Sequence, residues 1–115
     1  MLLKVSVEYF ANLRELMGVR EEKYKVKEGT TLADLLLTHI PNKHPKIAER
    51  WKIQVFEIEG GEIKYERDGT PSLKYLVLIN GISYTSIREG KKRPGLRYKL
   101  KDGDDISILP PVGGG

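Results

Sequence analysis

Cysteine is absent from the 115 residues, and histidine occurs only twice. A chain without cysteine has neither a disulfide framework nor a thiol nucleophile, so sulfur or acyl chemistry would need a partner's thiol or this chain's own terminus. His39 and His44 have no metal-binding set of neighbours, and the acid pairs Glu21-Glu22 and Asp104-Asp105 are expected on exposed strand ends or turns. The sequence therefore predicts neither a metal centre nor stand-alone catalysis.

Long apolar runs are also missing, since no stretch approaches the eighteen residues that a membrane-spanning helix needs. The opening segment, from Met1 to Val5, lacks the charged leader and cleavage site of a secretory signal. A chain of 115 residues is long enough for one hydrophobic core and not for two. We therefore expect a single domain over residues 1–115, no membrane partner and a cytoplasmic location.

Charge of one sign is only mildly in excess, because 20 Lys plus Arg oppose 16 Asp plus Glu and give a net charge of +4. The excess lies late in the chain, in Arg88, Lys91, Lys92, Arg93, Arg97, Lys99 and Lys101. Only Tyr98 is interleaved there for base stacking, and Pro94-Gly95 indicates a loop rather than a groove-reading helix. The pattern favours a solvated loop over nucleic-acid binding, with electrostatic steering of an acidic partner as the alternative.

Apolar periodicity predicts the first elements. Alternation from Leu3 to Tyr9 indicates a strand with one buried face, and residues 22–27 indicate a second strand. Between them, residues 11–17 have helical spacing, and Gly18 is a suitable stop.

The main helix is predicted next. Thr31 and Asp34 have the spacing of a capping box, and Pro41 is expected to end the helix. Its apolar residues recur at helical spacing, which indicates one core-facing stripe.

Residues 42–72 read as an insertion into a simpler plan. Pro45 is expected to open a short helix through Trp51. Residues 53–58 and 63–65 are expected to form a hairpin around a Gly-Gly turn.

The remaining segments predict more strands, over residues 73–79, 96–100 and 106–109, with a tight turn at Asn80-Gly81. Strands combined with one principal helix indicate an α+β fold. Periodicity leaves the strand order open.

The most informative segment is the final run, Pro110-Pro111-Val112-Gly113-Gly114-Gly115. Glycine contributes nothing to a core and loses much freedom on ordering, but a glycine thread fits a slot too narrow for other residues. The prolines favour an extended tail, which would reach roughly 20 Å and present a terminal carboxylate. The alternative interpretation is a frayed end or an expression-linker remnant.

Four segments together resemble the small sulfur-carrier subunits of molybdopterin synthase, within the MoaD/ThiS group of ubiquitin-like β-grasp proteins. They are YFANLRELMG (residues 9–18), TTLADLL (30–36), LING (78–81) and LKDGDDISILPPVGGG (100–115). The insertion over residues 42–72 is longer than the compact family core, and the family commonly has another small residue at Gly113. Thiamine-pathway relatives share the glycine ending but resemble the opening helix and the Pro-Pro segment less well.

The resemblance implies a β-grasp mixed sheet packed on one main helix, with an inserted helix and hairpin and a flexible tail over residues 110–115. It implies that a ubiquitin-activating-type adenylyltransferase uses ATP to adenylate the carboxylate of Gly115, and that a sulfur donor enzyme converts it to a thiocarboxylate. The charged carrier would then enter the large subunit of molybdopterin synthase. The chain itself would be a non-catalytic subunit with no permanently bound cofactor.

The same resemblance gives the tail residues their roles. Gly115 would carry the reacting group, and the residues before it would form the partner-binding thread: Pro110, Pro111, Val112, Gly113 and Gly114. Phe10 and Leu109 are candidates for an apolar partner-binding surface, and ordinary core packing is the alternative.

Further functions stay open. One is a ubiquitin-like modifier joined through Gly115 to lysines of target proteins, and a sulfur carrier for thiamine or for tRNA thiolation would use the same activated terminus. Another is a scaffold or RNA-binding domain, which would depend on the basic loop alone.

Overall fold

Alternating apolar residues build a five-stranded mixed sheet in the computed structural model, which describes residues 1–111. The strands in chain order are β1 (Leu2–Tyr9), β2 (Glu21–Lys27), β3 (Ile58–Glu59), β4 (Glu62–Ile63), β5 (Leu76–Ile79), β6 (Ile82–Ser83) and β7 (Asp105–Leu109). The sheet has the order β2-β1-β7-β5-β6, while β3 and β4 form a separate hairpin. β1 and β7 are parallel and the other neighbours are antiparallel, so β7 lies centrally with a bonded strand on each side.

Local turn and capping signals form the structures that they predict. The first helix, α1 (Asn12–Met17), ends at Gly18 in a left-handed conformation with φ of 76°. Asn80 and Gly81 join β5 to β6 with φ of 51° and 83°, the left-handed pair that a two-residue hairpin requires. The capping box between Thr31 and Asp34 is complete, with reciprocal bonds of 3.0 and 3.1 Å.

The prediction that Pro41 ends the main helix is wrong. The helix runs through α2 (Leu32–Asp34), a π-helical turn (Leu35–His39) and α3 (Ile40–Lys43). In an α-helix the proline ring collides with the carbonyl four residues back. The wider π turn just before Pro41 relieves that collision, so the chain stays helical for two more residues.

In the insertion, the helix is longer and the hairpin shorter than predicted. A 3₁₀ turn (Pro45–Ile47) leads into α4 (Ala48–Val55), so residues 53–55 are helical rather than part of a strand. β3 and β4 pair around Gly60 and Gly61, as the Gly-Gly signal predicts.

Trp51 explains why helix is preferred there. Its indole N–H donates to the Leu36 carbonyl (2.9 Å), and its ring packs edge-on against Tyr9 at 6.2 Å. Trp51 and Val55 are both 0% exposed, and a helix places residues four apart on one face. The insertion is thereby tied to the core between the sheet and the main helix.

The predicted strand over residues 96–100 is also wrong. The segment forms a 3₁₀ turn (Gly95–Arg97) followed by extended residues outside the sheet. Its alternating apolar side chains are still buried: Leu96, Tyr98 and Leu100. The backbone N–H of Leu100 bonds to the Thr30 carbonyl (2.9 Å), so its partner is the loop before the main helix rather than a strand.

The helices formed by residues 1–111 are all too short or too polar to cross a membrane.

Candidate functional site

The root of the tail is fixed by the last strand. Asn80 N–H donates to the Asp105 carbonyl (2.8 Å), and because bonded pairs alternate in an antiparallel ladder, Leu76 and Leu109 form the last bonded pair with β5. On the other side, Phe10 N–H donates to the Ile108 carbonyl (3.2 Å). β7 is therefore held on both sides up to Leu109.

Pro110 and Pro111 end the two ladders at successive residues. Along β7 the backbone groups alternate between the two neighbours, so Pro110 lacks the N–H that would face β1 and Pro111 lacks the N–H that would face β5. Pro110 is half-buried and Pro111 is exposed. The sequence therefore directs the chain out of the sheet at a defined residue.

A row of apolar residues lies beside the point where the chain leaves the sheet, on the sheet face opposite the helices. Phe10, Leu109 and Leu76 stand at the same level of three adjacent strands, and each is half-buried. Their chain neighbours Tyr9, Ile108 and Val77 are buried in the core, so alternation turns the row to the open face. We call Phe10, Leu109 and Leu76 the tail-side row.

The corner after β1 holds Phe10 in place. Ala11 has φ of 52° and ψ of −127°, a conformation that only glycine adopts without strain. The Arg14 guanidinium lies 5.8 Å from the centre of the Phe10 ring, and its Nε donates to the Tyr9 carbonyl (3.3 Å). Asn12 Oδ1 accepts from the Tyr75 hydroxyl (3.0 Å), which ties the corner to the segment before β5.

The structure thus brings together four of the residues singled out from sequence, Phe10, Leu109, Pro110 and Pro111. The other four, Val112, Gly113, Gly114 and Gly115, lie outside the described residues. Sequence reasoning missed Leu76. The available signal was a strand with apolar residues on both faces, which leaves one apolar face to be covered by something else.

A second cluster is polar and lies under β2. The Glu22 carboxylate accepts hydrogen bonds from the Tyr9 and Tyr24 hydroxyls (2.6 and 2.7 Å) and lies 2.7 Å from His44 Nε2. Lys43 Nζ is 3.6 Å from its other oxygen. The Glu22 side chain is only 11% exposed, so the expectation that this acid pair lies on an exposed strand end or turn is wrong for Glu22.

The hydrogen bonds of this cluster have a structural role. Burial alone would raise the pKa of Glu22, but the hydrogen bonds from two tyrosines and a histidine lower the pKa below its usual value. Burial, together with the neighbouring carboxylate, raises the pKa of Tyr9 and of Tyr24, so both phenols stay protonated.

Asp104, another acid expected to be exposed, is buried immediately before β7. It is 5% exposed, and its two oxygens accept from the Tyr98 hydroxyl and the Asn80 amide (both 2.9 Å). Burial and this carboxylate raise the pKa of Tyr98 to about 12. Among residues 1–111, no three His, Asp or Glu side chains come together as a set that could hold a metal ion.

Comparison with known proteins extends over nearly the whole chain. The ThiS family model matches residues 7–115. Over 113 residues the chain is 27% identical to the molybdopterin synthase sulfur carrier subunit of Chlamydomonas reinhardtii and 30% identical to small archaeal modifier protein 3 of Haloferax volcanii. Each alignment covers 98% of this chain and 100% of the relative.

Solved structures agree with this assignment. A putative molybdopterin converting factor, subunit 1, from Pyrococcus furiosus has a TM-score of 0.63 and 31% identity, covering 96% of this chain and 99% of that one. Small archaeal modifier protein 1 from Methanosarcina acetivorans has a TM-score of 0.66 and 32% identity, covering 100% and 99%. The resemblance and the α+β fold predicted from sequence are confirmed, and the chain belongs to the ThiS family of ubiquitin-like β-grasp proteins, which are of the sulfur-carrier type.

Proposed function

We propose that this protein is the sulfur carrier of molybdopterin biosynthesis, acting in the cytoplasm through the carboxylate of Gly115. The family assignment and the similarity to a molybdopterin synthase sulfur carrier subunit support the proposal. The observation that carries it is the tail root, where a central strand ends at Pro110 beside an open apolar row. A carrier needs such a fixed base because its reacting atom has to reach into another protein.

The chemistry begins with an unreactive group. A free α-carboxylate has a pKa of roughly 3.3 to 3.7, so it is ionised at neutral pH and is a poor acyl electrophile. A ubiquitin-activating-type enzyme would transfer AMP from ATP to this carboxylate and release pyrophosphate. A sulfur donor enzyme would then displace AMP and leave a thiocarboxylate on Gly115.

The charged tail would act inside the large subunit of molybdopterin synthase. There the terminal sulfur would attack the pterin precursor, and two charged carriers would supply the two sulfurs of the dithiolene. Ordering each tail residue costs on the order of 1 to 2 kcal/mol, so contacts elsewhere must offset that loss. The tail-side row of Phe10, Leu109 and Leu76 is the surface that we propose for those contacts.

A second candidate function is protein modification through the same carboxylate. Small archaeal modifier proteins match this chain at 30% and 32% identity, as closely as the molybdopterin relatives do. Conjugation would use the same adenylate, with a lysine amine of a target protein displacing AMP. Trypsin would cut this tail after Lys101, so target lysines that carry residues 102–115 in digests of cell extract would support it, and their absence would count against it.

The test of the carrier function is intact-protein mass spectrometry after incubation with ATP, a sulfur donor and the host's activating enzyme. The full chain should gain about 16 Da, the difference between sulfur and oxygen, and a variant lacking Gly114 and Gly115 should gain nothing. The charged protein should then deliver sulfur to the pterin precursor when the large synthase subunit is added.

The outcomes separate the candidates. No mass gain with a demonstrably active enzyme would reject the sulfur carrier. A mass gain without transfer to the pterin precursor would retain sulfur chemistry and reject the molybdopterin role, which directs attention to thiamine or tRNA thiolation.

A further inference from the structure

β2 (Glu21–Lys27) is the long free edge of the sheet. Within residues 1–111 it pairs with β1 alone, and the opposite edge strand, β6, has only two residues. An edge strand presents a row of backbone groups that can pair with another extended chain. The groups that β2 leaves open therefore decide what it can bind.

Alternation in the ladder identifies those groups. Tyr9 N–H donates to the Arg20 carbonyl (2.8 Å) and Glu28 N–H donates to the Met1 carbonyl (3.0 Å). Because bonded and non-bonded pairs alternate, the even-numbered residues of β2 bond to β1. The backbone groups that point away from the sheet belong to Glu21, Lys23, Lys25 and Lys27.

Lys25 is the centre of this open edge. The described residues offer no hydrogen-bond partner to its N–H or its carbonyl. The carbonyl of Lys23 accepts from Lys43 Nζ (2.9 Å), and that of Lys27 accepts from the Thr30 N–H (3.1 Å) and hydroxyl (2.6 Å). An added antiparallel strand can therefore exchange two bonds with Lys25 and accept one each from Lys23 and Lys27.

Three of the four side chains at these positions are positively charged, and Glu21 at the start of the strand is negatively charged. Lys23, Lys25 and Lys27, which we call the lysine row, are exposed on the open sheet face, because the intervening Tyr24 and Val26 are buried. The ion pairs found within residues 1–111 involve Glu22 and Glu49 and none of the lysine row.

The neighbours of the lysine row do not neutralise it. Lys4 of β1 lies directly opposite Lys25 of β2, and such a pairing of like charges destabilises a sheet. Asp102 lines the same shallow groove as these two lysines, but its oxygens lie more than 4.0 Å from their amines. The edge is therefore open in its backbone, and no ion pair within residues 1–111 compensates the charge of the lysine row.

The positive charge of the lysine row determines which kind of strand can bind at the edge of β2. A second copy of this chain would set one lysine row against another, and edge lysines oppose such pairing. An acidic strand would place carboxylates directly opposite the lysines, at about 4.5 to 5.5 Å between Cβ atoms. We propose that the edge of β2 docks an extended acidic segment of a partner protein by strand addition, with acids at alternate positions facing Lys23, Lys25 and Lys27.

This surface is separate from the tail root, because β2 and β7 are two strands apart in the sheet. Two strand spacings correspond to about 10 Å. A strand added to β2 would lie on the side of β2 away from β7, and the proposal does not depend on the sulfur chemistry.

The test uses an acetylated and amidated eight-residue probe of alternating glutamate and valine, added to the full chain at low salt. We expect amide resonances of residues 21–27 to shift on binding and the Lys25 N–H to become protected from hydrogen exchange. A matched probe with N-methylated glutamates keeps the charge and loses the donors, so it should bind at least 10-fold more weakly. A lysine-valine probe should not bind.

Variants of the protein complete the test. Lys25→Glu should weaken binding of the acidic probe by at least 10-fold. The double variant Lys23→Glu with Lys27→Glu should reverse the preference, so that the lysine-valine probe binds more tightly than the acidic probe. The matched control is Lys91→Glu with Lys92→Glu, which changes the charge equally in the basic loop and should leave binding within about twofold.

Each other outcome would overturn the proposal. Equal losses in the edge and loop variants, or equal binding of the N-methylated probe, would mean general charge attraction without strand addition. No binding of the acidic probe at low salt would mean that the lysine row only protects the edge. Dispersed amide spectra of each variant keep a folding defect from being mistaken for either result.

Discussion

The tail-side row and the lysine row share one sheet face yet differ in every property that a partner senses. Phe10, Leu109 and Leu76 are neutral, apolar and half-buried, beside a strand bonded on both sides. The lysine row is charged and exposed, on a strand bonded on one side. The first surface gains free energy by losing water, whereas the second acts through charge and open backbone groups. One open face can thus serve two kinds of contact.

The largest expected effect is at the apolar surface. Phe10→Asp should weaken binding to the large synthase subunit or the activating enzyme by more than 100-fold, because a buried aromatic anchor is worth about 2 to 4 kcal/mol and the new charge would be desolvated. Isothermal titration calorimetry measures the dissociation constant of each complex. The matched control is Ile82→Asp, an exposed apolar residue of β6 that pairs with Ile79 and so lies on the opposite sheet face, which should bind normally. Loss of the folded state in Phe10→Asp would instead assign Phe10 to the core.

The next effect is on stability at the polar cluster beneath β2. Glu22→Ala should lower the free energy of unfolding by about 3 kcal/mol, because two buried tyrosine hydroxyls and His44 lose their acceptor. Urea unfolding followed by circular dichroism measures this free energy of unfolding. Glu21→Ala, at the exposed neighbouring position, should stay within about 0.5 kcal/mol of the parent. Equal stability of the two variants would mean that the Glu22 network contributes nothing.

A smaller effect follows from pH. The pKa of Glu22 is lower in the folded state than its ordinary value of 4.5, so its contribution is complete above pH 4.5 and is lost as the pH falls through the folded value. We expect the unfolding free energy of the parent to fall more steeply below that pH than that of Glu22→Gln, by about 1 kcal/mol per pH unit at most. If the unfolding free energies of the parent and of Glu22→Gln fell in parallel with pH, the lowered pKa of Glu22 would be contradicted.

The smallest effect concerns the corner that holds Phe10. Ala11→Gly should raise the unfolding free energy by about 1 kcal/mol, since it removes backbone strain that exceeds the added freedom of the unfolded chain. Thermal unfolding measures it, with Ala33→Gly in the main helix as a control that should destabilise. A lower melting temperature for Ala11→Gly would show that the corner is not strained.

Sequence reasoning succeeded where the signal is local. The Thr31–Asp34 capping box, the stop at Gly18 and the Asn80-Gly81 turn depend on neighbouring residues alone, and each forms as predicted. The tail root followed from Pro110 for the same reason, since a missing N–H acts wherever the residue stands.

The failures concern distant partners. Pro41 stays helical because of a π turn, and residues 53–55 are helical because Val55 and Trp51 are buried together. Leu76 and the lysine edge could not be located from sequence, because periodicity gives the faces of a strand and not its neighbours. Only the order β2-β1-β7-β5-β6 shows which strand holds the tail and which is open.

The central position of β7 also has a mechanical consequence. A force applied along the tail acts on a strand bonded to β1 and β5 at once, so the two ladders must shear together rather than open one bond at a time. Forced unfolding is governed by the unfolding rate, and many hydrogen bonds that must break at once slow that rate more than bonds that break one at a time. We expect the domain to resist pulling from the tail far more than pulling from a strand at its edge, so a machine that grips the tail meets the strongest part of the fold first.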